Sequence, residues 1–170
     1  MSAERSTDEH EFDELVGSRD TAMLVVTAAA DGVLAGCLVG FHSQCGIEPR
    51  RYAVWISKAN ETYRVARRAE HFAVHVPRAH QLDVAELFGG ETGDEVDKFA
   101  GGGWTEGPGG VPLLAACPDR FLGRRVDLVD VGADHVCVVL APVRTDRSAA
   151  APGPWLTYER AKDIPPGHPA

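Results

Sequence analysis

Two apolar runs joined by an Asp-Gly dipeptide are the feature that most restricts the fold of this chain. The first run, Met23–Thr27, is rich in β-branched residues, and the second extends from Val33 to Phe41. Asp31-Gly32 lies between them, and an Asp-Gly pair flanked by apolar runs is the strongest short-range indication of a β-hairpin. The domain is therefore predicted to begin with two antiparallel strands.

Short strands and short helices are predicted along the rest of the chain. Residue alternation and apolar content indicate strands at Tyr52–Ser57, His71–Val76, Arg120–Val131, His135–Val143 and Pro152–Tyr158. Helical spacing indicates helices at Asp8–Leu15, 60–70, His80–Phe88 and Asp94–Ala100, the second with Asn60 as its N-cap. Hairpin links without regular βαβ alternation predict a mainly β fold, an antiparallel barrel with appended short helices.

One glycine-rich segment lies between the predicted helices and the last long strands. Residues 101–112 hold six glycines and two prolines around Trp104. This composition predicts a loop. It is either a plain surface crossover or a flap that Trp104 anchors over a site.

Length and charge limit the function classes. The 170 residues suit one domain, predicted as an acidic helix at 1–19 packed on the barrel, a barrel domain at 20–160 and a tail at 161–170. The net charge of −8 argues against nucleic-acid binding, which depends on clustered Lys and Arg. No apolar run approaches the roughly 20 residues of a membrane span, and the acidic N-terminus is unlike a secretory signal. A cytoplasmic protein without membrane or nucleic-acid partners is expected.

The charge is unevenly distributed along the chain. Residues 1–20 carry seven carboxylates and two arginines, whereas residues 49–78 carry seven Lys or Arg and two glutamates. Such asymmetry reflects either solvated helix faces or a surface for a charged partner.

The sequence contains no side-chain motif for catalysis or metal binding. Its four cysteines form no CxxC pair and lie in or beside apolar stretches, so free thiols in a reducing compartment are expected rather than a zinc site. GxSxG, HExxH and P-loop motifs are absent, as is a glycine fingerprint between a strand and a helix. We therefore expect chemistry carried by a bound cofactor.

The stretch Ala35–Pro49 resembles the strand-loop motif of the flavin reductase-like family, the FMN-binding split barrels. In that motif a small residue and a glycine open the strand, a polar stretch follows, and an acidic residue and proline close it. Weaker matches follow in order at residues 57–63, 71–76, 87–89, 97–99 and 132–135. The resemblance covers about residues 20–145 and predicts a split β-barrel.

This resemblance implies a homodimer that binds FMN near the subunit interface, reduces it with NADH or NADPH, and can supply reduced flavin to a partner monooxygenase. It places the flavin ring against the backbone of residues 37–46, with expected contacts from Cys37, Leu38, Val39, Gly40, Gln44, Cys45 and Gly46. It also places the phosphate near Ser57, Lys58, Asn60 and Thr62, with Arg64 in reach, where donors at a helix start suit an anion. The matching triplet adds Lys98 and Phe99 to the expected cofactor site.

His135 matches the family histidine that faces the nicotinamide, which implies a positioning role. The other interpretation is an exposed histidine at a strand end beside Asp134. Trp104 is expected in the core or the flap first, and in ring stacking second.

The chain also departs from the family pattern. Leu38, Gly40 and Gly46 stand where relatives have Thr or Ser, and residues 42–44 read His-Ser-Gln rather than Phe-Thr-Ser. Fewer hydroxyl groups near the ring leave FAD, a deazaflavin or haem open as the cofactor. The alternative functions are a non-catalytic flavin, deazaflavin or haem binding protein on the same scaffold, and a structural dimer with a vacant site.

Overall fold

Nine strands dominate the computed structural model, which describes residues 6–151 and 153–168. They are β1 Leu24–Ala30, β2 Val33–Val39, β3 His42–Ile47, β4 Arg50–Ser57, β5 His71–His75, β6 Trp104–Glu106, β7 Pro112–Leu114, β8 Arg120–Asp130 and β9 His135–Asp146. Seven of them form one antiparallel sheet in the order β2-β1-β5-β8-β9-β4-β3, and β6 pairs with β7. The predicted mainly β, antiparallel fold is confirmed.

The predicted first hairpin is confirmed, and its turn has the expected chemistry. Asp31 and Gly32 both have positive φ values, 52° and 77°, as a two-residue type I′ turn requires. β1 pairs with β2 from Leu24 opposite Val39 to Ala30 opposite Val33. This register places the far end of β2 beside the start of β1.

The core lies on both faces of β1, which explains its continuous apolar sequence. Alternate residues of β1 pack inside the barrel with a cluster from β2, β4, β5 and β9 that includes Val54, Ile56, Phe72, Val74, Val138 and Leu140. Val25 faces the other way and packs with Val84, Phe88, Phe99, Leu114 and Cys117. The second cluster fixes the segments that follow β5 against the outside of the barrel.

The helices are α1 Thr7–Gly17, α2 Glu61–Ala66, α3 Leu82–Ala85, extended by a π-helical turn at Glu86–Gly90, and α4 Tyr158–Ala161. The first three predicted helices are present, although α2 is shorter than the predicted 60–70 and α1 is longer than the predicted Asp8–Leu15. The N-cap of α2 is confirmed, since Asn60 Oδ1 accepts a hydrogen bond from Thr62 N at 3.2 Å. The prediction of a helix at Asp94–Ala100 is wrong: Asp97 bonds the backbone of Phe99 locally, and these residues form turns.

One loop prediction and one strand prediction also need correction. The glycine-rich segment is not entirely loop, because β6 lies within it and Trp104 is fixed by a bond from Nε1 to Phe99 O at 3.1 Å. The predicted strand Pro152–Tyr158 is reduced to isolated bridges, Ala22 with Thr157 and Arg78 with Trp155, and residue 152 lies outside the described residues. β3 was not predicted as a strand of its own, because its residues are mostly polar and exposed.

The acidic N-terminal helix is present, but its predicted packing on the barrel is not observed. A capping box joins Ser6 and Glu9 at its start, and no residue of α1 is buried. Phe12 and Leu15, the apolar residues of its amphipathic face, are 64% and 70% exposed. No helix among the described residues has the length and apolar character needed to cross a membrane.

Candidate functional site

A cleft of about 520 Å³ lies where the ends of three strands meet the C-terminal segment. One wall is the end of β2 and the residues after it, Cys37–Phe41, and a second is the end of β4, Trp55–Ser57, with Asn60. His135 at the start of β9 and Phe88 of the π-helical turn also line it. The wall across from β2 comes from residues 158–168, most of which were predicted only as a tail at 161–170.

The structure brings together about half of the predicted site residues. Those that line this cleft are Cys37, Leu38, Val39, Gly40, Ser57, Asn60 and His135. Thr62, Lys98 and Phe99 line a neighbouring cavity of about 540 Å³ beside β2. Gln44 lines a third cleft, and Cys45 and Gly46 lie with it on β3. Lys58 and Arg64 line none of these cavities.

The β2 wall depends on two close approaches that only glycine allows. A Cβ on Gly36 would lie 2.8 Å from the Phe88 ring, and a Cβ on Gly89 would lie 2.8 Å from Leu38. β2 and the π-helical turn therefore pack closely enough to present backbone, not only side chains, to the cleft.

Lys98 stabilises the β2 wall by hydrogen bonds on the side away from the cleft. Its buried Nζ donates to Gly36 O at 3.1 Å and to Phe88 O at 3.3 Å, so one ammonium group joins β2 to the π-helical turn. Burial lowers the pKa of Lys98. Lys98 thus acts on the cleft by positioning its wall rather than by reaching into it.

Cys37 lines the cleft, but its thiol is not reactive. Its side chain is buried, and burial raises the pKa of its thiol to about 11, more than the neighbouring Thr62 hydroxyl and Lys98 ammonium lower it. A thiol with so high a pKa is not a nucleophile near neutral pH.

Ser57 and Asn60 place two hydrogen-bond donors in the cleft. Ser57 Oγ accepts from Ala59 N at 3.3 Å, and Asn60 Oδ1 accepts from Thr62 N. These bonds use the oxygen lone pairs, so the Ser57 hydroxyl hydrogen and the Asn60 NH₂ group remain available to an anionic ligand.

The basic residues predicted near this position are paired elsewhere. Lys58 Nζ lies 2.8 Å from Asp130 Oδ1, which holds the pKa of that carboxyl below its usual range. Arg64 lies between Glu61 and Asp94, and Arg68 Nε bonds Asp31. Much of the basic segment at 49–78 is therefore neutralised by carboxylates from other parts of the chain.

His135 lies in the cleft rather than on an exposed strand end. It pairs with Ser57 across β9 and β4, and its side chain is 23% exposed. Nδ1–H donates to Asp134 Oδ1 at 2.8 Å, and this bond is the main cause that lowers the pKa of Asp134. The imidazole lies 5.2 Å from the Phe41 ring, and the bond to Asp134 leaves Nε2 free of that carboxylate.

The aromatic residues of the cleft were not predicted as site residues. Phe41 and Trp55 line it beside Phe88, and Phe41 is 59% exposed. An unusually exposed aromatic directly after an apolar strand is the signal that could have identified Phe41. Aromatic and apolar walls with a few polar donors at one end are typical of a site for a flat ring that carries an anionic tail. No group of three or more His, Cys, Asp or Glu in the described part of the chain could hold a metal ion.

Comparison with known proteins assigns the fold and the family. Residues 17–163 match the family described as the flavin reductase like domain. The chain belongs to this family. Among solved structures it is similar to the NADH:FAD oxidoreductase SgcE6 of Streptomyces globisporus C-1027, with a TM-score of 0.77, 21% identity and coverage of 92% of this chain and 93% of that one. The predicted split-barrel fold is confirmed by this likeness.

Two relatives share more sequence with this flavin reductase-like chain. The stachydrine N-demethylase reductase subunit Stc3 of Rhizobium meliloti is 31% identical over 74% of this chain and 54% of its own length. The FMN reductase (NADH) RutF of Bradyrhizobium diazoefficiens is 30% identical over 71% of this chain and 67% of its own length. The chain thus spans little more than half of the first relative.

Proposed function

We propose that this protein is a flavin reductase that binds FMN in the cleft between β2, β4 and β9 and reduces it with NADH. The observation that carries the proposal is that Ser57, Asn60 and His135 converge with the β2 wall in one cleft, within a flavin reductase-like fold. When bound, the flavin supplies the two-electron chemistry for which the sequence offers no side-chain motif.

The donors of the cleft fit this cofactor. In the proposed site Ser57 and Asn60 bind the phosphate, the backbone from Cys37 to Gly40 lies along the ring, and His135 positions the nicotinamide through Nε2. Hydrogen bonds from backbone do not need the hydroxyl groups that relatives carry, so Leu38 and Gly40 are compatible with the site.

NADH is favoured over NADPH as the hydride donor. Arg64, the arginine best placed in sequence for a second phosphate, is already held by Glu61 and Asp94. Two relatives, RutF and SmoA of Agrobacterium fabrum, are named FMN reductase (NADH). FMN is favoured over FAD because the donor pair suits a single phosphate group.

The proposed acceptor of the reduced flavin is a partner monooxygenase. Stc3 is named a reductase subunit, and the reductase subunit HsaB of a flavin-dependent monooxygenase from Rhodococcus jostii is 29% identical over 78% of this chain. In this proposal the chain is a cytoplasmic homodimer with the flavin near the subunit interface.

Anaerobic visible spectroscopy tests the function directly. The purified protein is titrated with FMN, FAD and a deazaflavin, and then NADH or NADPH is added without oxygen. Rapid NADH-dependent bleaching of FMN is expected. A bound flavin that NADH does not bleach would show a carrier protein, and failure to bind any flavin would show a vacant scaffold.

Paired substitutions test the cleft. Ser57→Ala with Asn60→Ala is expected to weaken FMN binding by at least tenfold, because a charged phosphate loses two hydrogen bonds, each worth about 1.5–3 kcal/mol. Lys58→Ala is the matched control, since Lys58 pairs with Asp130 and is expected to leave FMN affinity nearly unchanged. Equal effects of Lys58→Ala and the double variant would contradict the assignment of Ser57 and Asn60 to the phosphate site.

His135→Ala is expected to raise the KM for NADH without changing FMN affinity.

A further inference from the structure

A second cleft, of about 450 Å³, lies at the end of the barrel where β4 begins and β9 ends. We call it the arginine cleft, because four arginines line it: Arg50, Arg51, Arg120 and Arg147. It shares no lining residue with the candidate cofactor cleft, which lies at the opposite ends of the same two strands. Its volume suits a small organic molecule. A ligand held there would be separate from the proposed flavin.

Three aromatic rings supply the apolar surface of the arginine cleft, and contacts on other sides hold each of them in place. The Tyr52 and Phe121 rings pack edge to face at 5.1 Å. The Tyr52 hydroxyl also donates to His42 Nδ1 at 2.7 Å. The Arg78 guanidinium lies 4.5 Å from the centre of the Trp155 ring. Rings that are already ordered lose little conformational entropy when a flat ligand packs against them.

The carboxylates that line the arginine cleft are already paired with arginines. Asp119 lies 2.7 Å from Arg78. Asp146 lies 2.9 Å from Arg120 and 3.0 Å from Arg144. These ion pairs offset the negative charge that would otherwise repel an anionic ligand from the cleft.

The other three arginines of the arginine cleft have no such partner. Arg50, Arg51 and Arg147 form no ion pair with any carboxylate of the described residues. The planar guanidinium group matches the two oxygens of a carboxylate and binds it by charge-assisted hydrogen bonds. Positive charge next to ordered aromatic rings is complementary to a ligand that has both a ring and an anionic group.

We propose that the arginine cleft binds a small aromatic carboxylic acid. Its carboxylate accepts hydrogen bonds from Arg50, Arg51 and Arg147, and its ring packs against Phe121 and Trp155. The acid is bound intact, with no bond made or broken. This inference does not rest on the proposed function, because the two clefts share no residue.

Isothermal titration calorimetry with 2-naphthoate tests the chemistry of the ligand. We expect one molecule to bind per chain. 2-Naphthamide, which has the same rings without the charge, is expected to bind at least tenfold more weakly, and inorganic phosphate at equal concentration is expected not to displace the acid. Equal affinities for the acid and the amide would overturn the proposal. Displacement by phosphate would also overturn it, because the rings would then add nothing to anion binding.

Paired substitutions test the location. Arg50→Gln with Arg147→Gln is expected to weaken 2-naphthoate binding at least tenfold, because the carboxylate loses two charged donors. Both side chains are exposed and make no hydrogen bond within the described part of the chain, so the variant should fold, which circular dichroism verifies.

The matched control removes the same charge elsewhere on the surface. Arg124 and Arg160 are exposed and line none of the clefts described above. Arg124→Gln with Arg160→Gln is expected to leave the affinity for 2-naphthoate nearly unchanged. Equal weakening by the two double variants would show that net charge alone attracts the acid, and it would overturn the assignment to this cleft.

A competition titration separates this inference from the proposed function. Saturating FMN is expected to leave the affinity for 2-naphthoate unchanged. Displacement of the acid by FMN would mean that the acid binds in the cofactor cleft, which would overturn the inference. A protein that binds the acid but no flavin would contradict the proposed function alone.

Discussion

At the scale of single residues, the buried His75 makes stability depend on pH. Its Nδ1–H donates to Val25 O at 3.1 Å and its Nε2 accepts from Leu114 N at 3.1 Å, so both nitrogens are used by the neutral ring. Burial is the main cause that lowers the pKa of His75 to about 4 from 6.5. A proton on Nε2 would remove the acceptor for Leu114.

We therefore expect the protein to lose stability as the pH falls from about 6.5 towards 4. Between those values the unfolded chain binds a proton at position 75 that the folded chain does not, which favours unfolding. From pH 7.5 to 5.0 the loss from this residue is about 2 kcal/mol. Urea unfolding at both pH values measures it, and His75→Gln, which cannot titrate, should lose correspondingly less stability over the same interval. Identical losses in both proteins would contradict this role.

At the residue scale, sequence predicts local structure where the chain carries a local signal. The N-cap at Asn60 was predicted because an N-cap is a local property, and it is confirmed. The family resemblance grouped Gln44 with the β2 residues, yet Gln44 lines a different cleft. The positions of Trp55 and Phe88 depend on contacts between distant segments, which a local pattern does not contain.

At the scale of elements, the contact between β2 and the π-helical turn shapes the cofactor cleft. Gly36→Ala would place a methyl group 2.8 Å from the Phe88 ring and 3.2 Å from Thr27. We expect this overpacking to cost about 1–3 kcal/mol of stability and to weaken FMN binding, because the wall must move. Phe88→Leu in the same chain should restore part of the loss. Thermal unfolding and FMN titration measure both effects.

Gly101→Ala is the matched control, because no heavy atom lies within 4 Å of a Cβ at that position. Its expected effect is within about 0.5 kcal/mol. Equal effects at positions 36 and 101 would show that β2 and the turn are not closely packed in solution.

Element prediction was correct where a single pattern dominates. The Asp-Gly pair predicts the turn of the first hairpin, and extended alternation of apolar and polar residues predicts the long β8–β9 pair. The failures share a cause in packing: Lys98 and Phe99 are both directed inward from a turn, so the apparent helical spacing around them reflects burial, not a helix. Likewise β3 is held by its pairing with β4 rather than by its own propensity.

At the scale of the whole molecule, sequence charge was a poor guide to where charge remains free. The basic excess at 49–78 is largely used in ion pairs with Asp130, Glu61, Asp94, Asp31 and Asp119. Three arginines of this segment, Arg50, Arg51 and Arg67, are in no ion pair with a carboxylate of the described residues, and Arg67 lies over the Tyr63 ring. The uneven distribution of charge along the sequence therefore does not by itself locate a phosphate site, because most of the basic charge is already paired.

The C-terminal segment packs on the barrel and forms one wall of the cofactor cleft. Its removal tests whether this wall contacts the cofactor. Gly167 N donates to Gly89 O at 3.2 Å, Ile164 packs with Met23 and Leu38 around Leu156, and Lys162 and His168 line the cleft. Removing residues 162–170 should open the cleft on that side and weaken FMN binding by at least tenfold, with a small loss of thermal stability because most of the core is untouched.

A second variant keeps the chain at full length. A Cβ on Gly167 would lie 2.6 Å from the Glu91 backbone, so Gly167→Ala must displace the segment from the π-helical turn. It is expected to weaken FMN binding in the same direction as the deletion but less, because the displaced segment still covers part of the cleft. Fluorescence titration of FMN measures both affinities, and a deletion variant that binds FMN as tightly as the intact chain would show that this wall does not contact the cofactor.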